Sequence, residues 1–198
     1  MSNPFATRWI RPGATPYLFA NGGPTLDALV RHVRAGKSLE IVGPHGSGKS
    51  TLIEALLAAL SAAEIPWRAS SLHDGGMARR TRSSAGVGAR VHSIDGFEQL
   101  SWAERAAVRL RARVLAHGLI VTAHAPVGMD LVLRTEVTPD LAVAVVTRLL
   151  ERAPPQALVR PTDVLPRLRA HAGNLREALF DLYDAYQPAL SRNCRPGQ

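Results

Sequence analysis

Nine consecutive residues, Gly43-Pro44-His45-Gly46-Ser47-Gly48-Lys49-Ser50-Thr51, combine three glycines, a lysine and three hydroxyl side chains in the spacing G-x-x-x-x-G-K-S. Glycines at 43, 46 and 48 let the backbone turn tightly, so that consecutive N–H groups converge on an anion. A helix opening at Lys49 adds the positive end of its dipole. In this spacing the lysine reaches β- and γ-phosphates and the Ser50 hydroxyl sits on Mg²⁺. The alternative is a glycine-rich turn that matches by chance. Context argues against it: an apolar strand pattern precedes the loop (Leu39, Ile41, Val42) and a helical one follows (Leu52, Ile53, Leu56, Leu57, Leu60). The chemistry implied is the binding of a nucleoside triphosphate.

Hydrolysis or sensing of that nucleotide needs further side chains at strand ends. Val91-His92-Ser93-Ile94-Asp95 ends in a carboxylate about 45 residues beyond the loop, the position from which an aspartate holds Mg²⁺ through water. Asp95 before Gly96 is otherwise an ordinary turn pair. ATPases of this type usually place a water-polarising glutamate directly after the aspartate. Gly96 stands there, and the next carboxylate is Glu98. Glu98 either reaches the γ-phosphate round the turn or serves as a charge near the next helix start. Leu119-Ile120-Val121 runs into Thr122-Ala123-His124, where Thr122, with His124 as second candidate, could bond the γ-phosphate or the attacking water. Both could instead be polar residues that end a strand. In Gly173-Asn174-Leu175-Arg176-Glu177, Gly173 ends one helix, Asn174 caps the next and Glu177 completes the cap. That leaves Arg176 unexplained, and an arginine in the first turn of a lid helix can stabilise phosphate charge.

These side chains need a scaffold of strands and helices. Residues 1–24 read as an extended N-terminal arm, pinned by Phe5, Trp9, Tyr17 and Phe19 among Pro, Gly and Asn. Thr25 caps a helix carrying Leu26, Leu29, Val30 and Val33, and strand 38–42 and the loop helix follow. Next come a strand at Trp67–Leu72, a basic mobile loop from His73 to Gly88 and a strand at Val91–Ile94. A capping box, Ser101 with Glu104, opens a helix with Trp102, Ala106, Leu110 and Val114 on one face and Arg105, Arg109 and Arg113 on a neighbouring one. Strands at 119–121 and Leu131–Val137 complete the alternation. Helices then occupy Pro139 to about Arg152, Thr162–Ala172 and Asn174 to about Tyr186, interrupted by Pro154-Pro155. The pattern predicts a three-layer α/β/α sandwich with a mainly parallel sheet (25–138), a small helical lid (139–190) and a polar tail (191–198).

Composition narrows the classes. A hydrophobic fraction of 46% supports a packed core, and no apolar run is long enough to span a membrane. Cys194 is the single cysteine and the first residues lack a signal pattern, so a reducing cytoplasmic setting is the expectation. The net charge of +8 favours nucleic acid or another acidic surface, met by the Met77–Arg90 loop and the Arg105/Arg109/Arg113 face. Only Lys37 and Lys49 are lysines, and an arginine skew of this kind follows equally from GC-rich coding.

With these elements in this order, Thr25 to Tyr186 resembles the AAA+ ATPases. The resemblance implies ATP as the nucleotide, a Walker A motif at 43–50, a Walker B motif ending at Asp95, a sensor-1 position at Thr122 and a sensor-2 arginine at Arg176. It also implies homo-oligomeric rings in which a neighbour supplies an arginine finger; Arg134, before the last strand's end, is placed for that role or is a surface arginine. The missing Asp-Glu pair and the short lid depart from the family pattern. The function expected is Mg²⁺-dependent ATP hydrolysis coupled to lid movement against a macromolecular partner. A nucleotide-gated switch with little turnover and a small-molecule phosphotransferase stand as alternatives.

Overall fold

Three strands, β1 (Ser38–Val42), the more polar β4 (Val91–Asp95) and β5 (Gly118–Ala123), form the centre of a six-stranded sheet among the described residues. β1 pairs in parallel with both β5 and β6 (Leu131–Arg134), and β4 pairs in parallel with β5 and with β2 (Trp67–Ser71). The order is β3-β2-β4-β5-β1-β6, and among the described strands only β3 (Arg80–Ser83), on the outer edge of β2, runs antiparallel. A computed structural model describes residues 3–19, 23–72, 80–84, 88–151 and 159–193. Its mixed α/β architecture, a mostly parallel sheet with surrounding helices, is the class that the strand–helix alternation predicts.

The chain divides into two units: Met1–Ala20 with Pro44–Gly48 and Glu136–Gln198, and Asn21–Gly43 with Lys49–Thr135. The sheet belongs to the second. There α2 (Leu26–Arg34) starts where the Thr25 hydroxyl accepts the Ala28 N–H, and α3 (Lys49–Ala62) follows the phosphate loop. A buried glutamate in β1, Glu40, accepts the backbone N–H groups of Val127 (2.5 Å), Gly128 (3.1 Å) and Met129 (3.4 Å). Its carboxylate thereby fixes the loop between β5 and β6.

The first unit builds its core from helices. These are α5 (Pro139–Leu150), α6 (Val164–Ala170), entered by a 3₁₀ turn at Pro161–Asp163, and α7 (Leu175–Asn193). Val146, Leu149, Val164, Leu182 and Tyr186 are buried together, and Phe5 joins them with its ring edge-on to Tyr186 at 6.0 Å. Asn3 holds the same segment by donating to the Tyr183 carbonyl at 2.9 Å. A short helix, α1 (Thr7–Ile10), interrupts the segment that the sequence suggests is extended. α7 continues past Tyr186 into the stretch read as tail, while Cys194 and Pro154-Pro155 lie outside the described residues.

Two sequence expectations are corrected. Residues 80–83, read as part of a basic loop, form β3; 73–79 and 85–87, with Arg79, lie outside the described residues. Arg-Thr-Arg-Ser offers no apolar alternation, so the strand forms on the hydrogen-bonding edge that β2 presents rather than by burying side chains. Arg82 also pairs with Glu54 of α3.

The second correction concerns α4 (Trp102–Val114). Amphipathic logic buries its apolar face, yet Trp102 is 79%, Leu110 64% and Val114 75% exposed. The inward face carries Ala112, Val108, Arg105 and Arg109. Ala112 is short enough to let the helix lie close to the buried Leu119 and Val121. Arg109 covers apolar surface with its stem, donates to the Val127 carbonyl and holds its guanidinium 5.8 Å from the Phe97 ring centre. The expected basic face is therefore dismantled: of Arg105, Arg109 and Arg113, only Arg113 is exposed. Among the described residues, no helix is long and apolar enough to cross a membrane.

Candidate nucleotide site

At the C-terminal end of β1 the chain leaves the sheet through Gly43, whose N–H donates to Ala123 of β5 at 3.3 Å. It re-enters regular structure at Lys49, the first residue of α3. The Lys49 ammonium reaches back to the Gly43 carbonyl at 2.5 Å. Burial pushes its pKa below the ordinary lysine value, while the nearby carboxylates of Asp95 and Glu98 pull the other way. The cation thus stands between the loop and two acids. Ser50, the next residue, donates its hydroxyl to Asp95 Oδ2 at 3.1 Å.

Asp95 ends β4 and collects a second hydroxyl, from Thr122 of β5, at 2.6 Å on Oδ1. Thr122, 1% exposed, accepts the Gly96 N–H at 2.8 Å with the same oxygen. Ser50, Asp95, Thr122 and the Gly96 amide therefore form one continuous hydrogen-bonded chain across three elements. Mg²⁺ in phosphate-loop sites takes one or two protein oxygens and completes its shell with phosphate and water. The Ser50 hydroxyl and the Asp95 carboxylate, 3.1 Å apart, fit that donor set. Among the described residues no group of three or more His, Cys, Asp or Glu forms a cage for a metal by itself.

Gly96 explains why no glutamate follows the aspartate. Its φ is +84°, and an added Cβ would lie 2.8 Å from the Leu72 carbonyl oxygen and 3.0 Å from Gln99 Nε2. The chain instead turns through a 3₁₀ helix, Phe97–Gln99, which brings Glu98 back toward the site. Glu98 Oε1 lies 3.5 Å from His124 Nε2, and His124 Nδ1 lies 3.3 Å from the Gly43 carbonyl. Both ring nitrogens of His124 therefore lie beside oxygen atoms. The other Glu98 oxygen, Oε2, is buried without a hydrogen-bond partner among the described residues. An unpaired buried acceptor is costly, and a donor from bound ligand or water would relieve it.

The glycine-rich part of the loop, Pro44–Gly48, lies in the first unit. Gly46 has a φ of +72°, and an added Cβ would fall 1.9 Å from Asn174 Oδ1. Asn174 also accepts the Glu177 N–H at 3.4 Å, so the residue that caps α7 is pressed against the loop as well. Arg176 lies in the first turn of α7 with its guanidinium 5.8 Å from the Phe180 ring centre. Tyr17 lies 3.4 Å from where a Cβ on Gly48 would be. Sequence reasoning assigned Asn174 a capping role and Tyr17 a part in pinning the N-terminal arm; neither has a local signal that points to the loop. Pro44 and His45 are exposed, Ser47 is buried and Thr51 is half-buried. Arg134 is exposed at the end of β6, in register with Val42 of β1.

No family model matches the chain. A short stretch is 56% identical over 43 residues to the hemin import ATP-binding protein HmuV of Streptomyces coelicolor, 22% of this chain and 15% of that protein. Solved structures match over far more of the chain. A replication initiator DnaA bound to AMPPCP and single-stranded DNA aligns with a TM-score of 0.56 and 14% identity, over 85% of this chain and 62% of that one. AMPPCP-bound DnaA from Aquifex aeolicus gives 0.58 and 13%, over 84% and 61%. Drosophila ORC bound to DNA gives 0.54 and 13%, over 94% and 68%. The chain spans about six tenths of the DnaA chains it matches. At these identities the likeness is one of fold, and it agrees with the complete phosphate loop between β1 and α3: the chain has the P-loop NTPase fold of the AAA+ type.

Proposed function

We propose that the chain is an ATP-binding, Mg²⁺-dependent ATPase whose nucleotide state moves the helical lid (139–190) against a macromolecular partner in the cytoplasm. The observation that carries this reading is the run of hydrogen bonds from Ser50 through Asp95 to Thr122 beside the Lys49 ammonium. In the nucleotide complex Lys49 and the loop amides hold the phosphates, and Ser50 and Asp95 hold the ion, whose part is to neutralise phosphate charge. Thr122 then exchanges part of its bond with Asp95 for the γ-phosphate or the water in line with it. Glu98, with Oε2 unpaired and Oε1 beside His124, accepts the proton of that water. Arg176 contacts the γ-phosphate from α7, and Arg134 serves a neighbouring copy.

Titration with a fluorescent ATP analogue and Mg²⁺ tests the binding step. Lys49→Ala removes a charge-assisted contact, with a loss of about tenfold or more in affinity expected. Unchanged affinity in a folded Lys49→Ala protein removes the nucleotide assignment. A second reading, a nucleotide-gated switch with little turnover, is favoured by Gly96, where no side chain can polarise water. Phosphate release separates the two. We expect slow basal turnover, below about 1 s⁻¹.

A further inference from the structure

Arg68, His92, His117 and Arg111 converge where β4 begins. His92 stands opposite Arg68 of β2 in the parallel ladder, so the two side chains leave the sheet on the same face. Leu119 of β5 is the register partner of His92 on its other side, and His117 lies two residues earlier. His117 Nδ1 lies 3.2 Å from His92 Nε2, with the rings stacked. α4 covers this face through Val108 and Ala112, and Arg111 lies one turn beyond Val108. Both arginines are exposed and both histidines half-buried. Among the described residues neither guanidinium makes an ion pair with a carboxylate. Glu104 is two turns back along α4, about 10 Å away along the axis, and accepts the Ser101 N–H and hydroxyl. Asp130, which lines a nook with His117, is occupied by the Ser38 N–H and hydroxyl at 2.7 and 2.6 Å.

Burial first, then His117, Arg68 and Arg111, holds the His92 pKa below the ordinary histidine value. All three neighbours are basic, so the field at this point has one sign. We propose that Arg68, Arg111 and the His92–His117 pair bind one phosphate dianion, supplied by inorganic phosphate or a phosphate monoester. Two guanidinium charges balance a dianion, and their N–H forks suit its oxygens. The histidines add a donor without needing charge. Whichever ring donates in the 3.2 Å contact, the neutral pair keeps one N–H turned away from it. The outer nitrogens, His92 Nδ1 and His117 Nε2, make no other hydrogen bond among the described residues. The two facing nitrogens are also spaced to chelate a metal ion, but two unpaired guanidinium charges oppose a further cation there. The arginines are open to solvent, so binding weakens as salt rises. Asp95 lies three residues further along β4, about 10 Å away, so this phosphate is separate from those beside the Mg²⁺ residues.

Histidine ring resonances of the full chain, assigned with His92→Gln, test the site. Because the rings report locally, phosphate held beside Lys49 is not mistaken for it. Inorganic phosphate added at about pH 7 and constant ionic strength should shift the His92 and His117 signals together. It should also raise the pH at which His92 titrates, because a bound anion favours the imidazolium. Arg68→Gln and Arg111→Gln, both at exposed positions, should each weaken phosphate binding about tenfold or more. Arg31→Gln removes the same charge from an exposed position on α2 and should leave binding unchanged. An equal loss in all three variants would reduce the effect to net charge and overturn the site. Methyl phosphate that binds as well as inorganic phosphate assigns the site to monoesters, and its exclusion assigns the site to the free ion; both outcomes support the dianion. Phosphate that moves the two rings no more than chloride does overturns the proposal. So does Zn²⁺ that moves them where phosphate does not, which would give the pair to a metal.

Discussion

Glu98 gains its place at the site from a neighbour that has no side chain. Gly96 occupies a left-handed turn packed against the Leu72 carbonyl, so the chain cannot put a carboxylate there and delivers one two residues later. If Glu98 is the water-activating base, Glu98→Gln should bind ATP as wild type does and lose about 10²-fold or more in turnover, measured by single-turnover phosphate release. Equal turnover in the two proteins would assign the proton to another group. His124 touches Glu98 and the Gly43 carbonyl, so His124→Gln should lower turnover less than Glu98→Gln and leave ATP affinity intact. At this scale the sequence is legible where spacing is set by phosphate geometry: Gly43, Lys49, Ser50 and Asp95 can be read from the order of residues. The second role of Asn174, against Gly46, is illegible because 128 positions separate contacts that only folding brings together.

The elements were legible where burial wrote a period into them, as in β1, β5 and α5. Their limits were not. β3 has no apolar alternation, and α4 turns its arginines inward because Ala112 and Val108 pack more closely than Trp102 could. Glu40 is a further case, a charge in a central strand whose neighbours read as a simple apolar run. Its carboxylate serves three consecutive amides, so Glu40→Leu would remove the acceptor of two half-buried donors and one exposed one and should cost about 1–3 kcal/mol, read from urea unfolding. Glu40→Gln keeps one acceptor and should cost less. β4 supplies a pH-dependent element: His92 stacks on His117 with ring centres 5.3 Å apart. Burial first, then His117, Arg68 and Arg111, lower its pKa from the ordinary 6.5. Below about pH 6.5 the unfolded chain therefore binds more protons than the folded one, so this contribution to stability is full above that pH and is lost as pH falls. The fall in melting temperature between about pH 7.5 and pH 5.5 should be smaller in His92→Gln than in wild type.

Across the whole molecule, charge is the property that sequence and structure weigh differently. The chain carries a net charge of +8, which from sequence alone suggests a basic stripe on α4 ready for nucleic acid. Folding disperses that stripe. Arg109 is tied to the Val127 carbonyl and Phe97, Arg105 turns its Nε into the interior, and Arg82 is paired with Glu54. Arg68, Arg90, Arg111 and Arg113 are exposed, but only the last two share an element, α4; Arg68 lies in β2 and Arg90 just before β4. Each phosphate neutralised adds about 0.9 to the slope of log affinity against log salt. A surface that engages few phosphates at once should therefore bind duplex or single-stranded DNA weakly and without sequence preference, with a slope of about 2 to 4. Fluorescence anisotropy across a salt series measures it directly. A steep slope near that of a dedicated DNA-binding protein, about 6 or more, would show a concentrated basic surface that the described residues do not form. Arg113→Glu should reduce a shallow slope by about one if its guanidinium meets a phosphate, and leave it unchanged if the charge serves only solubility.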